Sequence, residues 1–456
     1  MSRKSAIVLV VLLAAGGGYY YYHTQLSSSF LSRKKITIGG EEYDVRSKES
    51  LEEHGLQFRR VRNKDNAAIF YCKASNLYHE PEPAVRDVMH GVLSGTWATD
   101  PGFTRWFDKN RECLALLHKA VRKPDCQFPI IGKDSDLIFV PPPPYHPSMR
   151  AFARLLVCEG RHYEHQGESS RALDSYLCVA TLAHHLSMSD RNLMGALVAL
   201  ACHEAGTKAV ERWLANSNAS VDDLRKAAAR CEQSVANRPK MTDWLEAERA
   251  RSRWMLEHAA RDPDTAAEAH SLGMSFITPE KETARAWRIF RKTIGRHDEI
   301  WTRLWDDLEK WCALPTSQAL QPGRSWEAYA RRSPEQGAYN FLFLGAFDTA
   351  RQVHARTEAK TGGTTIFAAI KLYEKKNGRP PSTLSELVPG CISKLPKDPF
   401  SGRDYVYKVR GSDYILYSVW DNLTDDGGAG QMPHSSKSDK DWVYWSKPIP
   451  IEPPPR

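Results

Sequence analysis

The strongest constraint on this chain lies at its start. Arg3 and Lys4 precede a run from Ser5 to Tyr22 without a charged residue, and Ile7 to Leu13 is apolar throughout. A helix rising about 1.5 Å per residue over that run just reaches the roughly 30 Å of a bilayer core. Tyr19 to Tyr22 suit the interfacial belt, where rings sit at headgroup level. Residues 5–22 are therefore expected to anchor the chain in a membrane. The cations before the span favour an inside N-terminus, although Arg33, Lys34 and Lys35 oppose that asymmetry. A cleaved export signal is the alternative, since Ala14, Ala15 and Gly16 are small residues of the kind found at cleavage sites. The four tyrosines favour an uncleaved, single-pass anchor. Both readings export the bulk of the chain beyond the inner (cytoplasmic) membrane.

The rest of the 456 residues is globular in composition, 41% hydrophobic and 26% charged. A mean hydropathy of −0.51 excludes a multi-spanning protein. The net charge of +8 is a mild excess for this length, so a nucleic-acid partner is not expected. None of the nine cysteines forms a Cys-x-x-Cys pair, which argues against a zinc ribbon or a thioredoxin-type site. Cys158, Cys178 and Cys202 fall on apolar helical faces, and Cys113 and Cys126 are near enough to pair across a short loop in an oxidising compartment.

The fold expected is mainly α: an anchor, a multi-helix ectodomain of antiparallel hairpins, and a small α+β domain with an antiparallel sheet. Residues 1–35 read as anchor and juxtamembrane linker, with a short strand pair around Ile36 to Val45. Residues 36–140 read as a mostly helical region, in which Ala67, Phe70, Tyr71, Ala74 and Leu77 share one face. Pro141 to Pro144 is a stiff spacer that no helix contains. Residues 147–354 read as helix after helix. Within them Gly160, Tyr163, Gly167, Ala172 and Tyr176 fall at tetratricopeptide-like spacings, without a convincing second copy. Trp244, Trp254, Trp287, Trp301, Trp305 and Trp311 are expected to supply packing rather than a stacking platform. Residues 355–456 form the last unit: a helix from Thr364 to Lys376, a short helix opening at Ser382, strands at Tyr405–Val409 and Tyr414–Val419, and a third at Trp442–Trp445. Gly362-Gly363 reads as a cap before that helix.

The strings Ile370 to Tyr373, Asn377 to Pro380, Leu395-Pro396-Lys397-Asp398-Pro399-Phe400 and Tyr414 to Ser418 resemble the globular part of type II secretion major pseudopilins. The resemblance covers about residues 361–446 and implies a helix leading into a small antiparallel sheet. The whole layout is also similar to a group of bacterial envelope proteins with an N-terminal anchor, an Asn-Ala-Ala helical region (here Asn66-Ala67-Ala68) and a pseudopilin-like tail. Two departures speak against assembly into a pilus. The anchor lies far upstream of the tail, and Met1 to Leu13 lacks the processing signal and following Glu of prepilins.

In major pseudopilins the loop after the Tyr-Ser strand binds calcium. The matching residues are Asp421, Asn422, Asp425 and Asp426, with Asp441 downstream, and Ca2+ is the cofactor this resemblance implies. Trp420 stands where the family has Gly, and Asn422 where a ligand Asp is usual. An acidic, solvated turn is the alternative. Glu159-Gly160-Arg161-His162 is half of a di-iron helix motif, with His165, His184, His185, His203 and Glu204 nearby. Gly-x-Ser-x-Gly, His-Glu-x-x-His and a phosphate-binding Gly-x-x-x-x-Gly-Lys are absent from the sequence. The function expected is a non-catalytic, membrane-anchored envelope protein that is structural or binds an envelope partner, linked to secretion or envelope assembly. The alternative is a metal-dependent enzyme using the histidines and glutamates near 159–204.

Overall fold

In the first described segment, residues 35–45, strands β1 (Lys35–Ile38) and β2 (Glu41–Asp44) pair antiparallel across Gly39 and Gly40, which take the positive φ such a turn requires. The computed structural model describes residues 35–45, 61–95, 100–129, 131, 143–189, 192–216, 218–267, 280–344, 347–411, 413–428 and 441–445. The expected anchor at residues 5–22 lies outside them. Among the described residues no helix is long and apolar enough to cross a membrane.

Four short helices follow: α1 (Ala68–Leu77), α2 (Pro83–Ser94), α3 (Pro101–Lys109) and α4 (Arg111–Val121). Pro83 and Pro101 open their helices where a missing N–H costs nothing. The Asn-Ala-Ala motif is a clip. Asn66 is fully buried; its Nδ2 donates to the Gln127 carbonyl (2.9 Å), and its Oδ1 accepts from the N–H groups of Gln127 (2.9 Å) and Ala68 (3.0 Å). One side chain thus ties the start of α1 to the strand-like segment after α4.

α5 (Tyr145–His165) begins directly after Pro144 and turns through Gly167 (φ 77°) into α6 (Ser169–Ser189). The expected hairpin is there, and its spacing has a steric reason. Gly160 lies so close to the Tyr176 ring that a Cβ would collide with it. α7 (Leu193–Asn216) packs on α6, and α8 (Val221–Ala236) follows with Ser220 as its cap. These helices, the N-terminal region and the C-terminal sheet share one hydrophobic core.

A second core is built by α9 (Leu245–Arg261), α10 (Glu280–Thr293), α11 (His297–Ala313) and α12 (Pro334–Phe343). Trp244, Trp287, Trp301, Trp305 and Trp311 are buried in it, and Trp254 packs half-buried on the first core, so the tryptophans do pack as expected.

The largest departure from expectation is α13 (Phe347–Asn377), a single helix of 31 residues. It starts 17 residues before Thr364 and runs through Gly362-Gly363, which are therefore interior residues and not a cap. Their missing side chains make room for two tyrosines from the sheet. A Cβ on Gly362 would stand 2.5 Å from Tyr405 Oη, and one on Gly363 would collide with the Tyr444 ring. Both phenols donate to the Ala359 carbonyl, at 2.7 and 2.9 Å. Residue 355, the expected domain boundary, falls inside this helix. Its N-terminal end contributes Phe347 and Ala350 to the second core, and Ala355 to Leu372 belong to the first, against α7 and α8.

Gly378, at φ 71°, ends α13. Glu386 closes the following turn by accepting from the N–H of Ser382 (2.6 Å) and Thr383 (3.1 Å). Strands β3 (Val406–Arg410), β4 (Asp413–Ser418) and β5 (Trp442–Trp445) form an antiparallel sheet in that order, with Val406 opposite Tyr417 and Tyr417 opposite Val443. The mainly helical class with small antiparallel sheets holds. All nine cysteines are free, Cys113 and Cys126 included.

Candidate functional site

The Leu-Pro-x-Asp-Pro motif sets the entrance to the acidic loop. Asp398 is buried; its Oδ1 accepts from Ser418 Oγ (2.8 Å) and Phe400 N–H (3.2 Å), and its Oδ2 from Val419 N–H (3.3 Å). This latch fixes the end of β4 and throws the chain into a turn at Trp420, whose φ of 54° lies in the left-handed region. Glycine is the residue that region favours. Here an indole takes it and is repaid by packing: Trp420 is buried, stacked on Trp442 (4.8 Å between centroids) and tilted against Phe400 (5.3 Å).

The five expected ligands do not converge on one point. Asp421 is drawn away by Arg356, whose Nε donates to Oδ2 at 2.7 Å. Asn422 Nδ2 donates to Asp426 Oδ2 (2.7 Å), and its Oδ1 accepts from Thr424 N–H (3.0 Å). Asp425 accepts from Tyr417 Oη (2.7 Å) and Gly427 N–H (2.9 Å), which hold its carboxyl below the usual range. Asp441 differs. It is fully buried, its Oδ2 accepts from Gly428 N–H (2.8 Å), and its Oδ1 has no hydrogen-bond partner. Burial raises its carboxyl, and the charges of Asp426 and Asp425 add to that rise. Among the described residues no three His, Cys, Asp or Glu are gathered as a metal site. The orphaned buried oxygen, acted on by the charges of Asp426 and Asp425, is an atom that a hard cation would satisfy. Asp421, Asn422, Asp425 and Asp426 each have a neighbour engaging them, and Asp441 is the one of the five with a buried oxygen that lacks a hydrogen-bond partner.

Behind this loop lies a buried charge cluster that the sequence reading missed. Lys360 on α13 is buried, sits 4.3 Å over the Trp442 ring and 5.6 Å from that of Trp420, and forms an ion pair with Glu204 on α7. Burial works to raise the Glu204 carboxyl, but Lys360 and Lys208 together hold it down at about 2. Two turns along the same face, burial pushes Glu211 up to about 7, although the Thr364 hydroxyl donates to it at 2.6 Å. The partners in this cluster are some 150 residues apart in the chain, so no local motif marks them.

The Glu-x-x-His pair does not act as a pair. Glu159 turns to His118 Nε2 (2.8 Å) and Ser175 Oγ (2.7 Å), whereas His162 meets Gln166 and the Phe107 ring. His184, His185 and His203 line a cleft of about 360 Å³ between α6, α7 and the end of α8, together with the cations Lys123, Arg230 and Arg238. No carboxylate lines it. Burial keeps His185 and His203 down at about 4, so both are neutral at pH 7. His185 is locked as a single tautomer: Nε2 donates to the Lys123 carbonyl (3.0 Å), leaving Nδ1 to accept from Tyr71 Oη (3.0 Å).

Compared with known proteins, the chain matches no protein family, no curated protein and no solved structure.

Proposed function

We propose that this chain is a non-catalytic, single-pass envelope protein, anchored by residues 5–22, whose helical body and pseudopilin-like tail together present a binding surface to an envelope partner. The observation that supports it most is that α13 belongs to both cores. The C-terminal sheet is thereby an integral part of the body and is held at a fixed place relative to it. A tail on a flexible linker would not be. Calcium at Asp425, Asp426 and Asp441 would supply the missing partner of the buried Asp441 oxygen and offset repulsion within the loop, a structural role.

Two measurements on the full chain test the reading. Expressed in a bacterium with two membranes, the protein is expected to sediment with the inner membrane, to resist alkaline carbonate, and to be digested by protease added to spheroplasts. Release by carbonate or protection from protease overturns the anchored, outward-facing arrangement. Thermal unfolding in calcium is expected to exceed that in chelator, since ligand at about 100 times its dissociation constant adds about 2.7 kcal/mol. Equal curves overturn the calcium assignment and leave the acidic segment as a turn.

A further inference from the structure

Among the nine cysteines, Cys178 is placed against a histidine. It is half-buried on α6, and its Sγ lies 3.7 Å from His118 Nδ1 on α4. The other ring nitrogen of His118 meets both oxygens of Glu159 on α5, at 2.8 and 3.0 Å, and Ser175 Oγ donates to the same carboxylate at 2.7 Å. Thiol, imidazole and carboxylate therefore stand in line, brought together from three helices. The outer two are bonded to opposite nitrogens of one ring. This is the arrangement that activates a sulfur nucleophile: the base takes the thiol proton, and the carboxylate orients and stabilises the imidazolium.

We propose that Cys178 is a nucleophilic thiol activated by His118 and Glu159, and that it undergoes thiol–disulfide exchange with small disulfides bearing carboxylates. The inference is independent of the anchor and calcium readings. Its substrate class comes from the adjoining cleft. Thr181 lies one helical turn beyond Cys178 and Val121 one turn beyond His118, and both line the cleft, which puts its rim one turn away from the thiol and the imidazole. Arg230 reaches that rim, with Nη2 donating to Thr181 Oγ1 at 2.8 Å. Arg238 is ion-paired with Glu358 (2.6 Å), so Lys123 and Arg230 are the charges that favour an anionic reagent in a cleft lined, among the described residues, by no carboxylate.

In the exchange, Cys178 Sγ, whose proton already rests on the His118 imidazolium, attacks one sulfur of the disulfide. A new S–S bond forms as the old one breaks. The displaced sulfur leaves with the electron pair and takes the proton from His118, so one disulfide and one thiol enter and one of each emerge. Cys178 and Glu159 hold the His118 imidazole up at about 10, against burial, in keeping with a ring stabilised in its charged form. By contrast, burial pushes Cys113, Cys158, Cys202, Cys231 and Cys312 up to about 12, which makes them inert. Cys391, also half-buried, has its thiol raised by burial and serves as an internal reference.

The test is the rate of reaction of the full chain at pH 7 with dianionic dithiobis(nitrobenzoate) and with neutral dithiodipyridine, the modified residues being located by peptide mass. Cys178 is expected to react first, at least about tenfold faster than Cys391. His118→Gln is expected to slow Cys178 by about tenfold and leave Cys391 unchanged. Arg230→Gln is expected to slow the anionic reagent and spare the neutral one. If Cys178 is no faster than Cys391 in the unmodified protein, or keeps its rate in His118→Gln, the activation is overturned. If Arg230→Gln slows both reagents equally, the anionic preference is overturned. Should the His118 variant unfold, seen as reaction of all thiols together, the rate contrast in the unmodified protein decides alone.

Discussion

At the residue scale the molecule is governed by a few side chains placed against the local rule. Trp420 occupies backbone that disfavours a side chain, and its indole is held between Phe400, Trp442 and Lys360. Trp420→Gly removes about 1 kcal/mol of backbone strain but deletes a buried aromatic worth about 3–5 kcal/mol. A net loss of about 2–4 kcal/mol in urea unfolding is expected. Glu211 works in the opposite direction. Its carboxyl is raised in the fold to about 7, so the unfolded chain ionises first as pH climbs and stability falls between about pH 4.5 and 7. Glu211→Gln is expected to be more stable than the parent at pH 8, by up to roughly 3 kcal/mol, and equal to it near pH 4. Urea midpoints at the two pH values check the sign. Asp441→Asn removes a buried charge that lacks a partner on Oδ1. It is expected to melt higher than the parent in chelator and to lose the response to calcium.

At the scale of elements, legibility followed whether the buried face of a helix is apolar in the sequence. The hairpin of α5 and α6 and the three C-terminal strands stand within a few residues of where spacing, Gly167 and the turn at Gly411 put them. The first half of α13 was not legible. Thr349, Gln352 and Arg356 face solvent, but the buried face carries Arg351, His354, Lys360 and Thr361 among its alanines, so polar residues interrupt the apolar stripe that would mark it. Gly362-Gly363 reads as a break for the same reason, since only the tyrosines of the sheet reveal what the glycines are for. Gly363→Ala is expected to force Tyr444 aside and cost about 1–3 kcal/mol, and Tyr444→Phe in the same chain is expected not to restore it, because the ring itself is in the way. The acidic loop was legible as acidic residues in a turn. Asp398 was visible only as part of a motif, and the Lys360–Glu204 pair and the Cys178–His118–Glu159 line not at all, because tertiary contact alone assembles them.

At the scale of the whole molecule, two cores are joined through α7 and α13, and neutral histidines lie in or beside them. Burial keeps His185, His203 and His354 down at about 4. The unfolded chain therefore takes up protons first as pH falls below about 6.5, and stability declines from there to about pH 4. His185 and His354 are almost wholly buried and contribute up to roughly 3 kcal/mol each to that loss. Below pH 4.5 the Glu204 ion pair is lost as well, as its carboxylate is protonated on the way down to about 2. In the Glu211→Gln chain, which lacks the opposing gain from that carboxyl, unfolding midpoints at pH 7 and 5 are expected to differ clearly, and a flat profile there would contradict the burial of these rings.

The long helix through both cores also sets an order of events during synthesis. A ribosome that has reached residue 346 has made nearly all the helices of the second core, yet the first still lacks the element that fills it between α7 and α8. Until residues 347–377 emerge, those apolar faces have nothing to close against, and folding is completed only near the end of translation or after it. A chain cut short within its last quarter is thus expected to be a client of chaperones and proteases rather than a smaller version of the same protein.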